Sequence, residues 1–280
     1  MELVFLGNGG GRIVLDRQAL PTGGFRVNSP SLNIHVDPGP GAFLKSFQHG
    51  QDPKELDSLF CSHAHIDHCH DANILIEAMN SGNYSGKKGV LLGSESVVNG
   101  FQKFEKQIDE YFKGMLQECR AMEASEMHIF GKPGGADKSG NSPTPKASLK
   151  ATRTLHEDQS DIGFVLEIGG IRLGYTSDTG FFPGIASEYD ACDFLIINCL
   201  RPNDDRLEFH LTSMEAVKII GEIKKKPRAV ILTHIGMKFI NAGMDSQRKL
   251  VEEESGVQTI LAREGLKLDL ARLKKQSALQ

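Results

Sequence analysis

The chain has no tryptophan, only four tyrosines, and five cysteines that include no C-x-x-C pair. An odd cysteine count without paired spacing argues against a disulfide framework and for a reducing compartment, the cytoplasm. Cys61, Cys192 and Cys199 sit in or beside apolar runs, where cysteine packs as a small hydrophobe. Missing too is any apolar run of roughly 18 residues, so the sequence offers no membrane span. The opening residues, Met1-Glu2-Leu3-Val4-Phe5-Leu6-Gly7, lack the basic start and long apolar stretch of a secretion signal. They are predicted to form a strand that ends in a glycine turn. Positive charge is not in excess either: the net charge is −4, which gives no signal for nucleic acid.

What remains is an ordinary globular composition, 39% hydrophobic and 24% charged over 280 residues, enough for one large core. Strand and helix patterns interleave without an internal repeat. Strands are predicted at 2–6, 32–36, 56–61, 89–92, 150–155, 164–168, 171–175, 194–199, 229–233, 257–261 and 266–270. Gly169-Gly170 between two of them signals a two-residue hairpin. Helices are predicted at 71–80, 95–118, 213–225 and 245–254, the third opened by the capping box Thr212-Ser213-Met214-Glu215. Helix 95–118 carries Phe101, Phe104, Ile108, Tyr111, Phe112 and Met115 at helical spacing, a stripe expected to pack on a sheet. The lesser alternative for that stripe is a substrate cover or a homodimer contact. Residues 131–148, rich in glycine, proline and serine, read as a mobile surface loop. Strand patterning resumes directly after it, so residues 1–280 are expected to form a single domain.

The densest chemistry lies at Ser62–Asp71, SHAHIDHCHD, which holds four of the ten histidines. Its order is His63-x-His65-x-Asp67-His68, after a buried strand and before a helix. Alternation lets His63 and His65 point the same way, as ligands of one metal, while Asp67 and His68 lie further round the turn and can serve a neighbour. Imidazole and carboxylate suit Zn²⁺ and also accept Mn²⁺ or Fe²⁺. Two metals need further ligands, and His156, Asp178 and His234 each stand where an apolar strand gives way to a turn. Asp37, in VDPGPG, either bonds the ligand loop or closes a turn; GGGR at 9–12 reads as a turn without nucleotide-loop spacing.

This combination, with "SDT" at Asp178 and "LTHIG" at His234, resembles the metallo-β-lactamase superfamily, and HLTSMEAV before LTHIG resembles its ribonuclease Z and phosphodiesterase branch. The resemblance runs from Leu6-Gly7 to about residue 240. It implies an αββα sandwich: two mixed sheets with helices outside and metals at one sheet edge. It further implies one metal on His63, His65 and His156, a second on Asp67, His68 and His234, and Asp178 bridging them. A water or hydroxide between two cations would then be the nucleophile. Asp67 and His210 are the residues expected to take part in the reaction. His210 just precedes a helix N-terminus, a place that favours anions, and the resemblance gives it the scissile phosphate and the leaving group.

Around His156 the chain reads TLHEDQSDIGF, without the G-H-T-x-G-H segment common in the lactamase, glyoxalase and lactonase branches. That counts against thioesters and lactones, and the placing of Gly163 after His156 favours phosphodiesters. Only 21 residues separate His156 from Asp178, leaving no room there for a long tRNA-gripping arm. The expected activity is therefore a phosphodiesterase acting on a small-molecule or short nucleotide diester. A ribonuclease Z-like RNA endonuclease, a thioester or lactone hydrolase, and an iron-dependent oxygen-chemistry enzyme are the alternatives.

Overall fold

The structure, a computed structural model, describes residues 1–81, 86–131 and 147–276. The loop predicted at 131–148 falls, at 132–146, outside the described residues. In chain order the strands are β1 (Glu2–Gly7), β2 (Thr22–Asn28), β3 (Asn33–Val36), β4 (Ser58–Cys61), β5 (Val90–Gly93), β6 (Glu118–Ala121), β7 (Met127–Phe130) and β8 (Ala147–Arg153). They continue as β9 (Ile162–Ile168), β10 (Ile171–Tyr175), β11 (Phe194–Arg201), β12 (Leu211–Thr212), β13 (Ala229–Thr233), β14 (Gln258–Leu261) and β15 (Lys267–Asp269). One mixed sheet runs β15-β1-β2-β3-β4-β5-β6 and the other β14-β13-β11-β10-β9-β8-β7, with β12 beside β11.

The inward faces of both sheets share one core, in which Phe5, Phe25, Val36 and Phe60 meet Leu149, Phe164, Tyr175 and Ile231. A second cluster packs helices Ser213–Glu222 and Met244–Ser255 on the outside of the second sheet, and a third packs helix Ala72–Asn80 on the outside of the first. This is the αββα layering. Strand β13, AVILT, is buried throughout because its parallel neighbours β11 and β14 flank it and both faces are covered. Gly169 and Gly170 both take positive φ, 56° and 73°, as the tight turn between β9 and β10 requires. The capping box forms: Thr212 Oγ1 accepts from the Glu215 amide and Glu215 Oε2 from the Thr212 amide. No helix among the described residues is long and apolar enough to cross a membrane, and all five cysteines are free thiols.

The helix predicted at 95–118 does not exist. In its place stand short helices Glu95–Val98 and Glu110–Lys113, then strand β6. Gly100 at φ 86° and Gln102 at φ 54° leave the right-handed region, and Phe101 and Phe104 exchange backbone hydrogen bonds of 2.9 Å. Helical spacing of apolar residues was present, but a turn wraps the segment around the ligand loop instead. Of its apolar residues Ile108 is completely buried, Phe101, Phe104, Phe112 and Met115 are partly buried, and Tyr111 is exposed. Strand β2 and the helices Arg12–Arg17 and Ala42–Gln48 carried no periodic signal; β2 holds Gly23-Gly24 and a buried Arg26 where a strand pattern expects apolar side chains.

Candidate metal centre

Strands β3, β4, β10, β11 and β13 run parallel to a neighbour, and their C-terminal ends converge at one end of the sandwich. Asp37 follows β3, Ser62 and His63 follow β4, Asp178 follows β10, and His234 follows β13. His156 stands on the loop after β8, and Asn198 within β11. All seven predicted ligands meet there. His63, His65 and His156 form one group and Asp67, His68 and His234 another. Asp178 belongs to two more, one with His63 and His68 and one with His156 and His210. The rings of His63, His65 and His156 are 4.5–4.9 Å apart. Asp178 Oδ2 lies 3.5 Å from His68 Nε2, 3.3 Å from His234 Nε2 and 3.6 Å from His210 Nδ1. Asp67 Oδ2 lies 3.4 Å from His234 Nε2, and His68 Nε2 lies 3.1 Å from His234 Nε2.

Bonds made behind the ligands fix which atoms face inward. Asp37 Oδ2 accepts from His68 Nδ1 at 2.8 Å, from Ser62 Oγ at 2.8 Å and from Tyr175 Oη at 2.6 Å. Its Oδ1 accepts from the Ser62 amide at 2.7 Å. With the Ser62 hydroxyl proton on Asp37, Ser62 Oγ accepts from His63 Nδ1 at 3.0 Å. Both histidines are thereby assigned the tautomer whose Nε2 lone pair points into the cluster. Asn198 Nδ2 holds Asp178 Oδ1 at 2.8 Å and leaves Oδ2 for the centre. The Gly11 amide donates to Asp67 Oδ2 at 2.9 Å. Asp158 anchors the ligand loop at the Ala64 amide, and Asp161 Oδ1 and Oδ2 lie 3.4 Å from His63 Nδ1 and 3.7 Å from His156 Nδ1. Gly10 is irreplaceable: a Cβ there would sit 2.2 Å from the His234 ring.

The residues fit divalent cations. His63 Nε2 is buried and has no hydrogen-bond partner. Such a group costs free energy unless something fills its lone pair. The charge balance agrees. Burial works against a charged His68, yet Asp178, Asp67 and Asp37 raise its imidazole well above the usual range. Burial would also raise Asp178, but His234 and His68 hold it well below the usual carboxylate range. Burial pushes His63 well down, helped by His68 and His156, and brings His156 down to about 3. The cluster therefore offers ionised carboxylates and the neutral imidazoles of His63 and His156, and a cation would take the place of the proton on His68, which completes the donor set of Zn²⁺ or a similar ion. Backbone strain gathers here as well. Of nine non-glycine residues with positive φ among those described, Asp37, Ser177, Phe209 and His234 lie in or beside the centre.

Sequence reasoning named the seven residues that come together here and left the supports open. Asp37 does bond the ligand loop. The GGGR turn supplies the Gly11 amide and the Gly10 gap. Ser62, Asp158, Asp161, Tyr175 and Asn198 were missed; Asp158 and Asp161 lie within five residues of His156, and that nearness to a ligand was their one signal. His70 turns away to Asp71, with Nδ1 3.0 Å from its Oδ1.

The Beta-lactamase superfamily domain profile matches residues 32–235. The uncharacterized protein MJ1374 of Methanocaldococcus jannaschii is 37% identical over 273 residues, covering 96% of this chain and 95% of that protein. In structure the chain is similar to the metallo-beta-lactamase fold protein YhfI of Bacillus subtilis, with TM-score 0.72, 20% identity and coverage of 95% and 98%. It is also similar to a diphosphatase from the PhnP family, with TM-score 0.66, 17% identity and coverage of 96% and 97%. The chain belongs to the beta-lactamase superfamily, a member built on the metallo-β-lactamase fold of metal-dependent hydrolases.

Proposed function

We propose that the protein is a phosphodiesterase working with two divalent metal ions, zinc or a similar ion, shared by Asp178. The observation that carries this reading is the position of Asp178 Oδ2 between the two ligand groups and beside His210. When bound, two such ions would lower the pKa of a water and offset charge developing on the phosphoryl oxygens. His63, His65 and His156 would hold one ion, and Asp67, His68 and His234 the other. Water adds to phosphorus, the bond from phosphorus to the leaving oxygen breaks, and that oxygen takes a proton, giving a monoester and an alcohol.

His210 is the proton carrier. Its Nδ1 faces Asp178 Oδ2 at 3.6 Å, where a proton on the ring is stabilised by the carboxylate. Burial outweighs the opposing pull of Asp178 and lowers His210, so the ring gives up readily a proton it has taken on. Phe209, at φ 70°, turns the chain so that the ring reaches the cluster. Asp67, fixed by the Gly11 amide, keeps a charged oxygen toward the reacting side. A cavity of about 750 Å³ opens in front of His65, Asp67, Asp178 and His210, within the size of a small-molecule site. The lack of a G-H-T-x-G-H segment around His156 supports phosphorus chemistry over acyl transfer.

The test is hydrolysis by zinc-loaded protein of bis-p-nitrophenyl phosphate against p-nitrophenyl acetate, a thioester and a lactone. Turnover of the diester at rates well above those of the acyl substrates is expected. The reverse order would replace the phosphodiesterase reading with an acyl hydrolase.

A further inference from the structure

Ile13, Ile66 and Leu207 are 55%, 53% and 43% exposed. All three line the cavity in front of the candidate metal centre. Each is tied to a residue of that centre. Ile66 directly precedes Asp67. Ile13 stands two residues after Gly11, whose amide bonds Asp67 Oδ2 at 2.9 Å. Leu207 is bridged to His210, whose amide donates to its carbonyl at 3.2 Å. The three apolar side chains therefore stand near the place where the phosphoryl group would be held, in a lining that also carries Arg12, Asp16, Glu157, Arg201 and Lys238. Leu200 and Met237 extend this lining. Bare backbone lets this lining pack closely: a Cβ on Gly11 would sit 3.0 Å from Leu200 Cδ1, and one on Gly236 would sit 2.5 Å from the Leu200 carbonyl oxygen.

A cluster of exposed aliphatic side chains inside a functional recess marks a ligand surface. What it lacks narrows the ligand. No phenylalanine, tyrosine or tryptophan among the described residues lines the cavity. Proteins that hold single-stranded bases stack them on aromatic rings or arginine planes; the rings in this recess are His65 and His210, both part of the candidate centre, and Arg201 is paired with Asp205 at 2.7 Å. We infer that the cleft takes a phosphodiester whose ester oxygen carries an aliphatic chain, with Ile13, Ile66 and Leu207 as the residues that select it. This rests on the phosphodiesterase reading for the position of the phosphoryl group. Water leaves the three side chains as the chain enters, and the affinity gained grows with each methylene buried.

The experiment is calorimetric binding of methyl, ethyl, propyl and butyl phosphate, and of thymidine 5′-monophosphate, to zinc-loaded protein. Affinity is expected to rise by about fourfold per methylene across the series, with a negative heat-capacity change that grows with chain length. Thymidine 5′-monophosphate should bind no tighter than ethyl phosphate. Ile13→Ser and Leu207→Ser should each flatten the slope to less than about twofold per methylene. A flat series in the wild-type protein, a thymidine monophosphate that outbinds butyl phosphate, or an unchanged slope in both variants would overturn the assignment. Hydrolysis of bis-p-nitrophenyl phosphate is measured in parallel. Its absence beside a rising binding series counts against the phosphodiesterase reading alone, and its presence beside a flat series counts against the aliphatic cleft alone.

Discussion

His65 and His68 come from the same loop, three positions apart, yet their side chains are 31% and 3% exposed. The contrast extends to the two ligand groups they serve. Around His68, Asp37 takes four hydrogen bonds, Gly11 holds Asp67, and Gly10 closes on the His234 ring. Around His65 the support is looser. His156 Nδ1 has no hydrogen-bond partner, as His234 Nδ1 has none in the other half, but Glu157 approaches the more exposed His65 Nε2 at only 3.8 Å and the Phe104 ring lies 5.7 Å from the His65 ring. One half of the centre is anchored throughout and the other is open at His65, with Asp178 Oδ2 lying near both. Ligands whose rear atoms are fixed lose less freedom on binding a cation, so the anchored half should hold its ion more tightly.

The largest effect is expected where the halves join. Asp178→Ala should remove at least one metal per chain and lower kcat/KM on a phosphodiester by at least about 10³-fold, because two ions lose their common anion. Elemental analysis of the purified variant and a rate assay check both parts; full metal content with full activity would take Asp178 out of the bridge.

His210 sits beside both halves and backs neither. His210→Ala should keep wild-type metal content and lower kcat by roughly 10²–10⁴-fold on a diester with a poor leaving group. The loss should shrink with p-nitrophenolate, which leaves without a proton. Metal loss in this variant would make His210 a ligand, as its grouping with His156 and Asp178 allows.

Asp37→Ala attacks the anchored half from behind. Four donors, among them His68 Nδ1 and the Tyr175 hydroxyl, lose their acceptor in a buried place. A stability loss of roughly 3–5 kcal/mol and a fall of about 10–100-fold in metal affinity are expected. In wild-type protein a chelator should release the open half first; in this variant the order should invert or the two releases should merge. Stopped-flow release with a chromogenic chelator reads the order directly.

The smallest effect belongs to the open half. Phe104→Ala removes the ring beside His65 and should weaken one metal by less than about fivefold, with stability nearly unchanged because the ring is only partly buried. A loss as large as that of Asp37→Ala would erase the distinction between the halves.

Much of this centre was legible because metal ligands need fixed residue types at fixed places. His63-x-His65-x-Asp67-His68 and the strand-end positions of His156, Asp178 and His234 announce themselves in a single sequence. Supports do not, since many residues can donate or accept one hydrogen bond. Asp37 looked as much like a turn former as a partner of His68, and Asn198 lay unmarked inside an apolar strand. The failure at 95–118 has another cause. Phe101, Phe104, Ile108 and Phe112 follow a helical period, but Gly100 and the turn through Gln102 break the backbone so that Phe104 can cover His65. Tertiary packing overrode local periodicity there. The strands β9, β10 and β13 were placed within two residues because buried parallel or hairpin strands leave continuous apolar runs between turn signals.

The most direct measurement is an anomalous difference map from a crystal of the zinc-loaded protein. Two peaks about 3.5–4 Å apart are expected. One should lie among His63, His65 and His156, the other among Asp67, His68 and His234, with Asp178 between them and the second peak surviving a brief chelator soak. A single peak, or two peaks with Asp178 bound to neither, would contradict the shared centre on which the proposed chemistry depends.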